Sequence, residues 1–263
     1  MEQDFDRIDV MIDRIISHKT DELAYEVAKR ATQLPNFERS DHEILRICIE
    51  AIAFSQGSRS KDVRILIDAG ILERIFNEYE DIEAIASMNP AELLTAYWSQ
   101  LGALRWPKKV ASMVMCAKAF VRIRKRFGSL MQCLASAKLP TPLQSAVDLN
   151  LFWDGFRRVQ SDFQDFEMPF FDKLTSLCHL LQLIGYDCAK PDSAVMKAAS
   201  TLQIVATPSG KNYKDRERRH VVMTMQRFCI ARELRVPVLD LYFLIAGRQT
   251  GATSCVIPKF YDS

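Results

Sequence analysis

A carboxylate at the start of a helix carries the sharpest chemical signal in this chain. Asp192 stands in Ala189-Lys190-Pro191-Asp192-Ser193-Ala194-Val195, shortly after an apolar helical run that stops at Gly185. A helix start leaves its first backbone N–H groups unpaired, so an Asp there fills the N-cap and is stabilised as an anion. A fixed anion of this kind can also do chemistry, by stabilising developing positive charge or by orienting an attacking water. Asp154 and Asp187 are alternative carboxylates, although Asp154 followed by Gly155 also fits a turn. His179 reads as a satisfied helix histidine. The seven cysteines are scattered, with no Cys-x-x-Cys pair. They read as reduced core residues and exclude a compact cysteine-ligated zinc or iron–sulfur motif.

Net charge is only +2, but its distribution is uneven. Residues 1–50 carry an acidic excess, whereas no acid occurs between Glu92 and Asp148. Arg105, Lys108, Lys109, Lys118, Arg122, Arg124, Lys125, Arg126 and Lys138 all fall in that interval. A second cluster comprises Lys211, Lys214, Arg216, Arg218 and Arg219. Basic stripes on a nearly neutral chain point to an anionic partner, nucleic acid first, with a solvated helix face as the ordinary alternative.

These residues are positioned by elements of helical periodicity. Ile44, Leu45, Cys48, Ala51 and Ile52 share one face, as do Val110, Met113, Val114, Ala117 and Phe120, and Leu174, Leu177, Leu180, Leu181 and Ile184. Glycine and proline fall mostly where these runs stop. Val221-Val222-Met223 continues into a helical pattern rather than a strand. The expectation is an all-α protein of roughly ten or more helices joined by short loops. Two lobes are expected: 41–135, and 1–40 with 136–263, with a groove between them as a natural ligand site. No apolar run reaches membrane-spanning length and the first residues are acidic, so a cytoplasmic protein without a membrane partner is expected.

Four segments in order resemble the helix-hairpin-helix base-excision DNA glycosylases. They are Glu43–Arg59; Met88–Leu94 with Leu101–Val110; Met168-Pro169-Phe170-Phe171-Asp172-Lys173-Leu174 at the hairpin; and Ala189–Val195 at the essential aspartate. Lys173 precedes Asp192 by nineteen residues, similar to the family's hairpin-to-aspartate separation. Val236–Leu241 and Ile245–Gly247 are similar to the family's C-terminal helix, and the resemblance spans 41–250. The hairpin departs from the family pattern. Phe170 and Phe171 stand where glycines let backbone N–H groups approach a phosphate, and the proline-to-lysine spacing is one residue short.

The resemblance implies a two-lobed helical fold of this superfamily with a degenerate hairpin. It implies a monofunctional DNA N-glycosylase that flips a damaged or modified base from duplex DNA and leaves an abasic site. Asp192 is then the catalytic carboxylate. Lys173 is a Schiff-base nucleophile, a phosphate contact or a solvated lysine. DNA contacts would fall to Gln56, Arg59, Leu104, Arg105, Lys108, Lys109, Met168, Phe170 and Phe171, with Gln56 a wedge or a plain helix-end residue and Leu104 and Arg105 second candidates for insertion. Trp153, Phe156 and Trp98 are base-pocket walls or core. No metal or cofactor is implied, and a nucleoid-associated monomer is expected. Two other readings stand beside this one: a catalytically silent DNA-binding module of the same fold, and a helical scaffold that meets an acidic protein.

Overall fold

Apolar residues at helical spacing run along nearly the whole chain, and in the computed structural model they form helices. Residues 2–18, 20–55, 57–208 and 212–247 are described. Gln56, Lys211 and the part of the resemblance beyond Gly247 lie outside them. The helices are α1 (Glu2–Ser17), α2 (Asp21–Thr32), α3 (Asp41–Ala53), α4 (Ser60–Asp68), α5 (Ile71–Ile75), α6 (Ile82–Ser87) and α7 (Pro90–Leu101). They continue with α8 (Lys108–Phe127), α9 (Leu130–Ser136), α10 (Ala146–Asp165), α11 (Leu174–Leu183), α12 (Ser193–Thr201), α13 (Asp215–Arg232) and α14 (Val236–Ala246). There is no strand among the described residues, and none of these helices is long and apolar enough to cross a membrane.

The chain divides into two compact units, the first being 1–35, 140–152 and 174–263 and the second 36–139 and 153–173. This differs from the expected lobes chiefly in 153–173: the hairpin segment packs with 36–139, whereas Asp192 belongs to the first unit.

In the first unit α14 is the central rod. It reads Val-Pro-Val-Leu-Asp-Leu-Tyr-Phe-Leu-Ile-Ala, and every residue but Leu244 is buried. A helix apolar on all sides needs cover on all sides, and α1, α2, α12 and α13 pack against it. Gly247 ends the rod where a Cβ would lie 2.2 Å from the carbonyl oxygen of Ala194. Glycine therefore lets α14 approach the start of α12. The unit is also tied by a buried ion pair, Arg235 Nε donating to Asp187 Oδ1 at 2.7 Å. Asp187 is 2 % exposed. It accepts further bonds from the Val236 N–H at 3.1 Å, the Leu143 N–H at 3.0 Å and the Thr141 hydroxyl at 3.4 Å. The remaining guanidinium nitrogens donate to the carbonyls of Gln33 and Gly185, each at 3.0 Å. Asp187, one of the alternative carboxylates, is thus fully engaged in holding chain segments together.

The second unit is organised around α8, against which α3, α6, α7 and α9 pack. Its buried face carries Val110, Met113, Val114, Cys116, Ala117, Ala119, Phe120 and Ile123. The six cysteines among the described residues are all buried and unbridged.

Removing one partner of a buried ion pair strands the other charge, at a cost of about 3–5 kcal/mol. Asp187→Ala is expected to lower the unfolding free energy in denaturant by about that amount. Asp154→Ala, at an exposed carboxylate paired with Arg157 three residues on, should change it by less than about 1 kcal/mol.

Candidate active site

The approach to Asp192 is a tightly bonded turn. After α11 the backbone takes φ 108° at Gly185, where a Cβ would lie 2.5 Å from the Leu34 carbonyl carbon. Tyr186, Asp187, Cys188 and Ala189 are all buried, and the Asp192 N–H folds back on the Lys190 carbonyl at 2.7 Å. Asp192 is the N-cap of α12, as its sequence context predicts. Both cap bonds fall on one oxygen: Oδ1 accepts from the Ala194 N–H at 2.9 Å and the Val195 N–H at 3.2 Å. Oδ2 faces Lys190 Nζ at 3.8 Å, and the carboxylate side chain is 17 % exposed. Capping therefore occupies one edge of the carboxylate and leaves the other directed at a cation.

Beneath this turn lies a second carboxylate that sequence reasoning missed. Asp240, in the middle of α14, is 2 % exposed. Its Oδ1 accepts from the Lys190 N–H at 3.0 Å and its Oδ2 from Gln182 Nε2 at 2.6 Å. Burial pushes its carboxyl up to about 7; the Gln182 and Lys190 donors oppose that rise, and the charge of Asp192 adds to it. His179 lies one turn before Gln182 on α11. Burial, and then the charge of Lys190, hold its pKa well below the ordinary histidine value, so it is neutral. The available signal for Asp240 was its isolation, as the one charged residue in an eleven-residue apolar helix.

In the second unit, two segments expected to meet DNA are brought together. The Arg105 guanidinium donates to the Gly57 carbonyl, and the Ser58 hydroxyl donates to the Leu104 carbonyl at 3.1 Å. Arg59, Arg105 and Lys108 are exposed beside this junction. Trp106, which sequence reasoning passed over, is 51 % exposed between Arg105 and Lys108. Its signal was a tryptophan inside a polar, proline-containing turn.

Other expected roles are changed by burial. Leu104 is fully buried and is no insertion residue. Lys109 is 2 % exposed. Its ammonium donates to the Ala53 carbonyl at 2.9 Å, to Ser58 Oγ at 2.7 Å and to the Ser55 carbonyl. It closes the end of α3, where orphan carbonyls need donors, and is not presented to a phosphate. Burial lowers its pKa to about 8, with the charges of Arg105 and Lys108 adding to the effect. Met168 and Phe171 are core residues, with the Cys116 thiol 3.8 Å from the Met168 sulfur. Trp153 and Phe156 are likewise buried, packed on each other at 5.0 Å between ring centroids, so they form core rather than pocket wall. Trp98 is half-buried on α7.

At the hairpin position, Phe170 is half-buried with φ 71°, the left-handed region that favours glycine. The backbone bend therefore forms without the glycine. Lys173 is exposed and pairs with Asp172 at 2.5 Å, and it belongs to the second unit, not to the unit of Asp192.

The acid-free interval is neutralised in part by acids from elsewhere in the chain. Arg122 pairs with Glu167 at 2.5 Å, Arg124 with Glu83 at 3.0 Å and Arg126 with Asp162 at 3.8 Å. Lys118, Lys125 and Lys138 are exposed. Comparison with protein-family models, curated proteins and solved structures finds no match to this chain.

A lysine whose folded pKa lies below its unfolded value binds its proton less tightly in the native state, so stability rises with pH between the two values. The difference in unfolding free energy, wild type minus Lys109→Met, is therefore expected to increase from about pH 8 towards pH 10.5. Denaturant titrations of both proteins across that window measure it.

Proposed function

We propose that this chain is a monofunctional DNA glycosylase that hydrolyses the N-glycosidic bond of a damaged or modified base. The observation that carries the reading is the geometry of Asp192. Its Oδ1 is held by two α12 N–H groups, so the carboxylate cannot swing away, and its Oδ2 remains on the side of Lys190. Departure of a base leaves a sugar with oxocarbenium character, which a fixed carboxylate stabilises as the charge develops. The same group orients the attacking water. The ordered resemblance to helix-hairpin-helix glycosylases supports this assignment, and so does the left-handed bend at Phe170.

A base inside a duplex must be extruded before it can be attacked. Arg59, Arg105 and Lys108 supply charge for the phosphate backbone. Trp106 is a large exposed aromatic among these cations, suited to stack on a base or fill the gap left by one. The hairpin bend around Phe170 provides a further contact.

A second reading, a catalytically silent DNA-binding module of the same fold, is favoured by Phe170 and Phe171, which stand where the hairpin glycines are expected. The two readings separate on one substitution, because Asp192→Asn retains a good N-cap but not the charge. On a panel of modified-base duplexes, wild type should release one class of base, revealed by alkali strand breakage. Asp192→Asn should release it at least about a hundredfold more slowly. Equal rates would sink the catalytic assignment, and no release from any duplex would favour the silent module.

Trp106→Ala is expected to weaken duplex binding by about 1–3 kcal/mol, measured as an anisotropy titration at fixed salt. Wild-type affinity should fall steeply as salt rises. Unchanged affinity in the variant would remove Trp106 from the interface.

A further inference from the structure

We propose that Asp240 is the positioning residue of the Asp192 turn, holding the Lys190 amide in a proton-dependent grip from inside α14. That the turn serves base excision rests on the reading given above; the positioning itself rests on the hydrogen bonds.

An ionised carboxylate in an all-apolar helix is an expensive way to pack a core. Asp187 meets that cost with a guanidinium and three further donors. Asp240 receives two neutral donors: the Lys190 N–H on Oδ1 and the Gln182 amide on Oδ2. The charged groups that act on it, among the described residues, are Lys190 and Asp192, both on the turn it holds. Gln182 from α11 is neutral, His179 from the same helix is kept neutral, and the buried Cys188 thiol is held protonated with its pKa well above the ordinary value.

Both Asp240 oxygens are acceptors in this arrangement, which suits the ionised form. Adding a proton turns one acceptor into a donor and opposes it to either the Lys190 N–H or the Gln182 amide. With the proton on Oδ1 the turn loses its bond to Asp240, and Lys190 is two residues from Asp192. The charge of Asp192 adds to the rise of the Asp240 carboxyl, and the charge of Lys190 opposes it. Burial places the Asp240 titration near neutrality, where a change in proton activity is felt. Asp192 is the group exposed to a reactant, whereas Asp240 acts on it through the backbone of Lys190.

The test follows the backbone amide of Lys190 and the side-chain amide of Gln182 by NMR between about pH 5 and pH 9. In wild type both signals should titrate together with a midpoint near 7. In Asp192→Asn, which keeps the cap, the midpoint should fall because a like charge is gone. In Asp240→Asn the titration should vanish from both signals. The Asp192→Asn measurement stands even if Asp240→Asn does not fold. Flat signals in wild type, or a midpoint indifferent to Asp192→Asn, would overturn the proposal.

A second arm measures single-turnover base release against pH. Wild type should lose rate as pH falls through the same midpoint. Asp240→Asn should be slower by on the order of tenfold to a hundredfold, with a flat profile there. Titration without base release from any duplex would leave the positioning role intact and defeat the glycosylase reading. Base release without the titration would do the reverse.

Discussion

The first unit depends on the ion pair between Asp187 and Arg235. Two charges removed from water are tolerated only when nearly every lone pair and N–H around them is used. Here that requirement recruits backbone groups from four places: Gln33, Leu143, Gly185 and Val236. Gln226 adds a bond at 2.9 Å to the Asp187 carbonyl. The pair consequently sets where α14 begins and where the turn after α11 runs. Asp192 lies five residues farther along that turn, so the candidate catalytic carboxylate inherits its position from this network.

Among the described residues, the buried charges of Asp187, Lys109 and Asp240 face the same desolvation cost and answer it differently. Asp187 takes a cation and becomes structural. Lys109 spends its three N–H groups on the last α3 carbonyl, the Ser55 carbonyl just past it and a serine hydroxyl, so a residue from the basic stripe becomes a helix cap in effect. Asp240 takes only neutral donors, and its carboxyl rises to about 7. A group left titratable near neutrality beneath a helix N-cap marks a candidate functional position, because its charge state bears on the hydrogen bond it accepts from the Lys190 amide.

Much of the local framework was readable in advance. The helices over Ile44–Ile52, Val110–Phe120 and Leu174–Leu181 follow from apolar spacing, and Val221–Met223 belongs to α13 as its continuation into Gln226–Phe228 suggested. The Asp192 cap was readable because it is made by N–H groups two and three residues away. The roles of Leu104, Met168, Phe171, Trp153 and Phe156 were not. Each is apolar or aromatic beside polar residues, and only its neighbours in space decide whether it faces solvent or core. The same holds for charge: the interval from Glu92 to Asp148 looks uniformly basic, yet Arg122 and Arg126 find their acids on or just after α10.

By itself, the amino-acid sequence determined the all-α class, the helix periods, the punctuation at Gly185 and the anion at the head of α12. These are governed by interactions within a few residues, where hydrogen-bonding rules and side-chain spacing leave little choice. Tertiary structure alone decided that Lys109 is buried, that Trp106 is exposed, and that Asp240 lies under Lys190 fifty residues away. Those outcomes depend on desolvation and on which distant groups supply the compensating hydrogen bonds, quantities that no local pattern encodes.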